Sequence, residues 1–341
     1  MIDKLLTRDE FRGAVFKRDN NKCVICKEDA VDAHHIIERR LWDDGGYYLS
    51  NGASLCKDCH IGAEQTVISC DQIRLAAGIS TVVLPSHLYS DQTYDKWGNI
   101  TLSHNRRIPG ELFHDESVQK ILKSGGVFDL FSRYFKYPRT YHLPWSPGTT
   151  SDDRVLKNID IFNNQDIVVT EKMDGENTTM YSDYIHARSI DMDSHPSRDW
   201  IKNFWAGIKH EIPVGWRFCG ENLFAKHSIK YEKLPSYFML FSIWDDRNIC
   251  LSWKDTAEWA KLLNISLVPV LWTGKLSQTF LHSIETSIPF LGTIEGYTIR
   301  IADEFHYSKF RYSIAKYVRA NHIAGTHNWK YRQIEQNGLA V

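Results

Sequence analysis

The chain has 341 residues, 43% of them hydrophobic, enough for two or three domains with proper cores. No run of 18 or more apolar residues occurs and the first eight residues lack an apolar segment after a basic start, so neither a membrane span nor a signal peptide is expected, and the expected location is cytoplasmic. A formal net charge of −1 argues neither for nor against nucleic acid, so any basic surface must be local.

Residues 1–70 read as a first unit. From Phe11 to Arg18 the apolar residues are spaced as in a short amphipathic helix, which Asp19-Asn20-Asn21-Lys22 ends. Seven cysteines is an odd number, and four of them fall in two C-x-x-C pairs, which favours metal ligation over disulfides. Cys23-Val24-Ile25-Cys26 and Cys56-Lys57-Asp58-Cys59 can each present two thiolates, closing a tetrahedral four-cysteine site for zinc. In so small a unit the metal would contribute much of the folding free energy. Cys70, Cys219 and Cys250 read as packing cysteines. Between the two pairs lie Asp32-Ala33-His34-His35-Ile36-Ile37 and Asn51, and His60 directly follows Cys59.

Residues 71–150 form a connecting region. Val82-Val83-Leu84-Pro85 is a strand or an apolar loop, and Ser117 to Leu130 has helical spacing interrupted by Gly125-Gly126. His104-Asn105-Arg106-Arg107 and Arg133-Tyr134-Phe135-Lys136-Tyr137 are candidate phosphate contacts, with surface or packing roles as the alternative. Pro138, Pro144, Pro147 and Gly148 punctuate an aromatic tract that reads as the join between domains.

Residues 151–330 carry the most chemistry, and 331–341 read as a tail. Asp166 to Thr170 is apolar and β-branched like a strand, as is Thr178 to Tyr181, and Glu171-Lys172-Met173-Asp174-Gly175-Glu176-Asn177 lies between them. Lys172 is thus expected at a strand-to-turn junction. Half desolvated there beside a metal-phosphate group, its ammonium pKa would fall far enough for the amine to act as a nucleophile. The ordinary alternative is an Asp-Gly hairpin turn. Downstream come His186-Ala187-Arg188-Ser189, Gly220-Glu221-Asn222, an apolar strand from Tyr237 to Asp245, Ile294-Glu295-Gly296, and Ala315-Lys316-Tyr317. Phe305 to Ile334 contains no acidic residue, while Lys309, Arg311, Lys316, Arg319, Lys330 and Arg332 are interleaved with Tyr307, Tyr312, Tyr317 and Trp329. That pattern suits a phosphate-contacting face; a plain solvated basic face is the alternative.

Two resemblances follow from these residues. From about 155 to 330 the ordered motifs resemble the covalent nucleotidyltransferases, specifically the RNA ligase branch of ATP-dependent polynucleotide ligases. The resemblance implies that Lys172 takes AMP from ATP, and that Asp174 and Glu295 position the metal and the lysine. It also implies that Glu221 binds the ribose hydroxyls, Arg188 the sugar-phosphate region and Phe241 the adenine face, with Glu171 and Asn177 beside the nucleotide. Lys316, with Lys309 as a further phosphate contact, would neutralise the α-phosphate. Magnesium or manganese is implied as a hard cation on phosphates and carboxylates. The N-terminal pattern resembles the zinc-knuckle HNH, or ββα-metal, nuclease module. It implies His35 as general base, His34 and His60 as ligands of a catalytic metal, and Asn51 orienting the loop or the base.

The expected architecture is therefore α+β: a small zinc-stabilised HNH-like module, then a nucleotidyltransferase domain of antiparallel sheets with flanking helices. Only 25 residues follow Lys316, so no C-terminal OB-fold is expected, and the N-terminal module becomes the candidate duplex clamp. The expected partners are ATP and nicked nucleic acid duplex, RNA or DNA. Three alternatives stand beside this reading: coupled trimming and sealing, a capping guanylyltransferase, which would also expect an OB-fold, and a nuclease whose C-terminal half senses nucleotide.

Overall fold

The computed structural model describes residues 4–102, 105–150, 153–190, 195–276, 293–320 and 334–340. They divide into two compact units, Met1–Phe135 and Lys136–Val341. The expected connecting region 71–150 does not stand apart; its first part belongs with the N-terminal unit and its last part with the C-terminal one.

In the N-terminal unit, α1 (Arg8–Arg18) starts at a capping box in which Thr7 and Glu10 satisfy each other's backbone N–H groups. Strands β1 (Asp32–His35) and β2 (Gly52–Leu55) pair antiparallel, with His34 opposite Ala53. Helix α2 (Lys57–Glu64) follows at once, completing a ββα arrangement, and α3 (Cys70–Ala76) comes next. The core beneath them gathers Ile36, Ile37, Leu41, Ala53, Leu55 and Ile73, all 1% exposed or less. Residues 82–85 form a loop, not a strand. Three two-residue strands, β3 (Thr93–Tyr94), β4 (Ile100–Thr101) and β5 (Arg107–Ile108), make a small sheet, and α4 (Glu116–Ser124) ends before Gly125-Gly126. Arg107 is buried against Asp95 and Thr66, so of the two roles open to it the packing one holds; His104 lies outside the described residues.

The C-terminal unit is built on two sheets. Its elements are β6 (Tyr141–His142), β7 (Asp166–Lys172), β8 (Glu176–Met180), β9 (Ile185–Ala187), α5 (Asp199–Ile208), β10 (Arg217–Asn222), β11 (Phe238–Trp244), β12 (Ile249–Cys250), α6 (Trp253–Leu262), β13 (Val270–Lys275), β14 (Gly296–Ile301), β15 (Phe305–His306) and β16 (Ile314–Val318). One sheet has the order β15-β12-β11-β10-β8-β9 and the other β13-β7-β14-β16-β6. All pairs are antiparallel except β16 with β6, where a purely antiparallel sheet was expected. Ile167, Val168 and Val169 on β7 are all buried, so the strand is apolar on both faces and takes a central place in its sheet.

The Asp-Gly hairpin is not formed. β7 pairs with β13 and β14 while β8 pairs with β10 and β9, so Met173-Asp174-Gly175 carries the chain from one sheet to the other. Residues 334–340 lie along the loop between β10 and β11: Asn337 is buried, donates to the Leu223 carbonyl at 2.8 Å, and accepts from the Tyr231 N–H at 3.0 Å. Cys219 and Cys250 are buried in the sheet core and Cys70, the first residue of α3, in the N-terminal core, as packing cysteines. Among the described residues no helix is long and apolar enough to cross a membrane.

Candidate functional site

Lys172 is the last residue of β7 and Glu176 the first of β8, so the lysine sits where the chain leaves one sheet for the other. Gly175 is needed in that crossing because a Cβ there would lie 2.5 Å from the Asn222 carbonyl oxygen and 2.8 Å from the Leu223 side chain. The crossing opens a cavity of about 420 Å³ whose walls include Glu171, Lys172, Asn177, Arg188, Glu221, Phe241 and Lys316. That volume suits a nucleotide-sized ligand.

Glu295 precedes β14, whose Gly296 pairs with Lys172, and its carboxylate reaches the Lys172 ammonium at 2.6 Å. A Cβ on Gly296 would collide with the Tyr317 carbonyl, so glycine lets β14 and β16 close beside the site. Burial by itself would lower the Lys172 pKa, but Glu295, Glu221 and Asp174 outweigh it and hold the ammonium above its ordinary value. With these carboxylates around it the amine is a cation, and the lowered pKa was expected for a lysine beside a metal-phosphate group. Burial pushes the Glu221 carboxyl up to about 8, against the pull of Lys172. Lys316 is brought down to about 8 by burial and by Lys172, with Asp153 drawing it the other way from 3.7 Å. The amide oxygen of Asn177 is buried in the cavity wall with no hydrogen-bond partner, an acceptor that a ligand hydroxyl or amine would satisfy.

Two expected residues stand elsewhere. Asp174 points away from the cavity; its carboxylate accepts the Ser228 and Ile229 N–H groups at 2.7 Å each, and its own N–H donates to the Tyr231 hydroxyl at 3.0 Å. It clamps the loop after β10 through one carboxylate oxygen, Oδ2, which takes both N–H groups. Lys309 is exposed on the 3-10 helix Tyr307–Tyr312 and is not part of the cavity wall. The basic stretch is not a single face either, because β16 sends Lys316 to the cavity and its neighbour Tyr317 into the core, stacked on Tyr297 at 4.8 Å. Trp329, Lys330 and Arg332 lie outside the described residues. Of the run expected to contact phosphate, Tyr137 enters the cavity as an aromatic wall, meeting Phe241 edge-on at 5.2 Å; sequence reasoning gave no role to Arg139, Asp153, His227 and Arg300, which also line it. Arg300 could have been found in the run Ile294–Arg300; the others arrive from separate strands and loops and leave no local signal.

The N-terminal unit holds two further clusters. The thiols of Cys23, Cys26, Cys56 and Cys59 lie within 4.8 Å of one another, with Cys26 and Cys56 sulfurs 3.5 Å apart. Four thiolates at about 2.3 Å from one ion need sulfur separations near 3.8 Å, so the set fits zinc. Beside it, His34 from β1 faces His60 from α2 with ring centroids 5.1 Å apart. Glu64, one helical turn after His60, brings its carboxylate to 3.2 Å from His60 Nε2 and 3.5 Å from His34 Nδ1. The other nitrogen of His60 meets Asp32 at 3.3 Å, the outer-shell support typical of a metal-binding imidazole. His34 is 2% exposed, neither ring nitrogen has a hydrogen-bond partner, and burial holds its pKa well below the ordinary value. Two imidazoles with one carboxylate are a donor set suited to a divalent cation.

Strand alternation takes His35 to the opposite face of β1. Its ring stacks on Phe11 at 4.6 Å and meets Tyr47 edge-on, and burial lowers its pKa to about 4. Asn51 ties the following loop, accepting from the Ile37 N–H and donating to the Ile37 and Gly46 carbonyls, so it orients the loop and not the base. Glu64 was legible as a helical neighbour of His60; Lys96, which reaches Glu64 at 3.1 Å from the turn between β3 and β4, was not.

Residues 165–318 match the family model described as RNA ligase. Solved structures similar to the chain include an RNA ligase of Naegleria gruberi, in a lysine-to-alanine mutant with ATP and Mn. It is 20% identical over 47% of this chain and 52% of that one, with a TM-score of 0.34. A putative ATP-dependent DNA ligase of Aquifex aeolicus is 18% identical over 55% of this chain and 50% of that one, with a TM-score of 0.39. The chain spans about half the length of these proteins. No curated protein matches it.

Proposed function

We propose that the chain is an ATP-dependent polynucleotide ligase that joins a 5′-phosphate to a 3′-hydroxyl through Lys172. The observation that carries this reading is the convergence of Lys172, Glu221, Arg188 and Lys316 on one cavity, with Glu295 paired to the Lys172 ammonium at 2.6 Å. The family match over residues 165–318 supports it.

The steps follow from the residues. The Lys172 amine, once it gives up a proton, attacks the α-phosphorus of ATP; a P–N bond forms and the bond to pyrophosphate breaks. Lys316, charged below about pH 8, faces the oxygens on which negative charge grows. Phe241 and Tyr137 offer an apolar wall to the adenine, Glu221 meets the ribose hydroxyls, and Arg188 meets the sugar-phosphate region. The carboxylates of Glu295 and Glu221 would hold magnesium or manganese, which would polarise the phosphate. AMP then passes from the lysine to the 5′-phosphate end, and the 3′-hydroxyl displaces it. Here Lys309 contacts no nucleotide, and Asp174 acts by fixing the loop that follows β10.

The proposed substrate is a nicked duplex with RNA on the 3′-hydroxyl side, gripped by the N-terminal unit. The test is a single gel with ATP, magnesium or manganese, and nicks carrying RNA or DNA on each side. A sealed strand with RNA at the 3′-hydroxyl is expected. A protein that takes up AMP yet passes it to no nucleic acid end would overturn the reading.

A second reading rests on the His34–His60–Glu64 cluster: the ββα unit binds a divalent cation there and cuts the strand it grips. The proposed base, His35, faces the other side of β1, and shortened strands that persist in His35→Ala would remove it from that role. Shortening in the same gel, abolished by His60→Ala while sealing survives, is the outcome this reading expects.

A further inference from the structure

The hairpin between β3 and β4 delivers one lysine into the N-terminal unit. Asp95 Oδ1 accepts the N–H groups of Trp97 and Asn99, Gly98 takes φ +78°, and the Lys96 carbonyl accepts from the Glu38 N–H at 2.9 Å. The turn is thereby fixed on both sides. Its lysine side chain is 4% exposed, and the ammonium has three acceptors: the His35 carbonyl at 3.0 Å, Glu64 Oε1 at 3.1 Å and Glu38 Oε2 at 3.2 Å.

Glu64 Oε1 is the atom on which the cluster converges. It lies 3.2 Å from His60 Nε2, 3.5 Å from His34 Nδ1 and 3.1 Å from Lys96 Nζ. A divalent ion held by those imidazoles and this oxygen would sit at about 2.0–2.2 Å from each donor, leaving the ammonium only a few ångströms from it. The lysine cannot swing into water, because Glu38 and the His35 carbonyl keep it in the interior. Two cations would then share one carboxylate oxygen with little solvent between them, where like-charge repulsion is worth well over a factor of ten in an equilibrium constant.

We propose that Lys96 sets the divalent-cation affinity of the His34–His60–Glu64 site, its ammonium competing with the ion for Glu64. This rests on the second reading above. It gives the unit a way to hold nucleic acid without cutting it, because the ion must first overcome a resident positive charge. Cleavage by a chain that also seals strands would otherwise undo its own product.

The experiment is a manganese titration of the full-length, zinc-loaded chain without ATP, with free Mn2+ counted by electron paramagnetic resonance. Thiolates take manganese poorly, so the cysteine site does not interfere. Wild type is compared with Lys96→Met, with Lys96→Gln, which keeps a neutral donor in the same place, with His60→Ala, and with Lys96→Met combined with His60→Ala. The expected result is a site at least tenfold tighter in both Lys96 variants and lost in the double variant. If Lys96→Met binds as wild type does while His60→Ala alone weakens binding, the metal site stands and the role of Lys96 falls. If wild type, Lys96→Met and the double variant are indistinguishable, the histidine site binds no ion and the second reading falls with the proposal. Should both Lys96 variants lose their zinc, Glu38→Gln tests the same point with the lysine intact. It releases an anchor, leans the ammonium onto Glu64 and is expected to weaken manganese binding threefold or more; unchanged or tighter binding overturns the proposal.

Discussion

Each unit contains a lysine set against glutamate, and the two lysines could hardly differ more in what surrounds them. Lys172 meets Glu295 at 2.6 Å but keeps 27% of its side chain exposed to a cavity of about 420 Å³. Lys96 meets Glu64 and Glu38 at 3.1 and 3.2 Å with 4% exposed and its acceptors closed around it. A lysine–carboxylate pair is therefore not by itself a sign of nucleophilic chemistry. What separates a nucleophile from a fixed counter-ion is room for a reacting group on the far side of the amine.

The strongest way to break this comparison is to remove the amine that faces the cavity. Lys172→Ala should lower labelling of the protein by α-labelled ATP by roughly four orders of magnitude or more, whereas Lys96→Met should leave it within about twofold. Comparable labelling of Lys172→Ala and wild type would place the nucleophile elsewhere. A smaller effect separates the units as folding bodies. Cys56→Ser should release zinc and lower the melting midpoint of the N-terminal unit by roughly ten degrees or more, while ATP labelling stays within about twofold. Metal content, calorimetry and labelling on one preparation decide this, and parallel loss of labelling would show that the sites are not independent.

The smallest expected effect concerns pH. Lys316 has a pKa lowered to about 8, so its charge is fully present below that pH and is lost as pH rises through it. ATP affinity of the wild type should accordingly fall by about threefold to tenfold between pH 8 and 9, one proton being involved. Lys316→Arg keeps its charge over this range and should flatten that fall. A decline of equal size in the variant would assign the titration to another group.

Much of the candidate site was legible because its residues sit in short runs with a local reason for their composition. Lys172 and Gly175 share one run, Glu295 and Gly296 another, and in each the glycine is required by a backbone passing too close for a Cβ. The four cysteines were legible by spacing alone. Other positions depend on which face or which neighbour a strand acquires. His34 and His35 are adjacent in sequence, but alternation along β1 sends one to the metal-type cluster and the other to Phe11. Asp174 carries the right residue type for a metal, yet two backbone N–H groups from a loop far along the chain bind one of its carboxylate oxygens. Asp153 and Lys96 enter their sites through pairings between distant segments, which no window of sequence reveals.

The clasp formed by Asn337 has a consequence in time. It joins Leu223 across 114 residues of chain and also holds Tyr231, whose hydroxyl accepts from the Asp174 N–H two residues after Lys172. A growing polypeptide that has already exposed Lys172 and all its carboxylate neighbours still lacks the strap that closes this loop. The loop beside the cavity thus gains its strap only after residue 337 has emerged during synthesis, so the order of translation makes this closure a late step of folding.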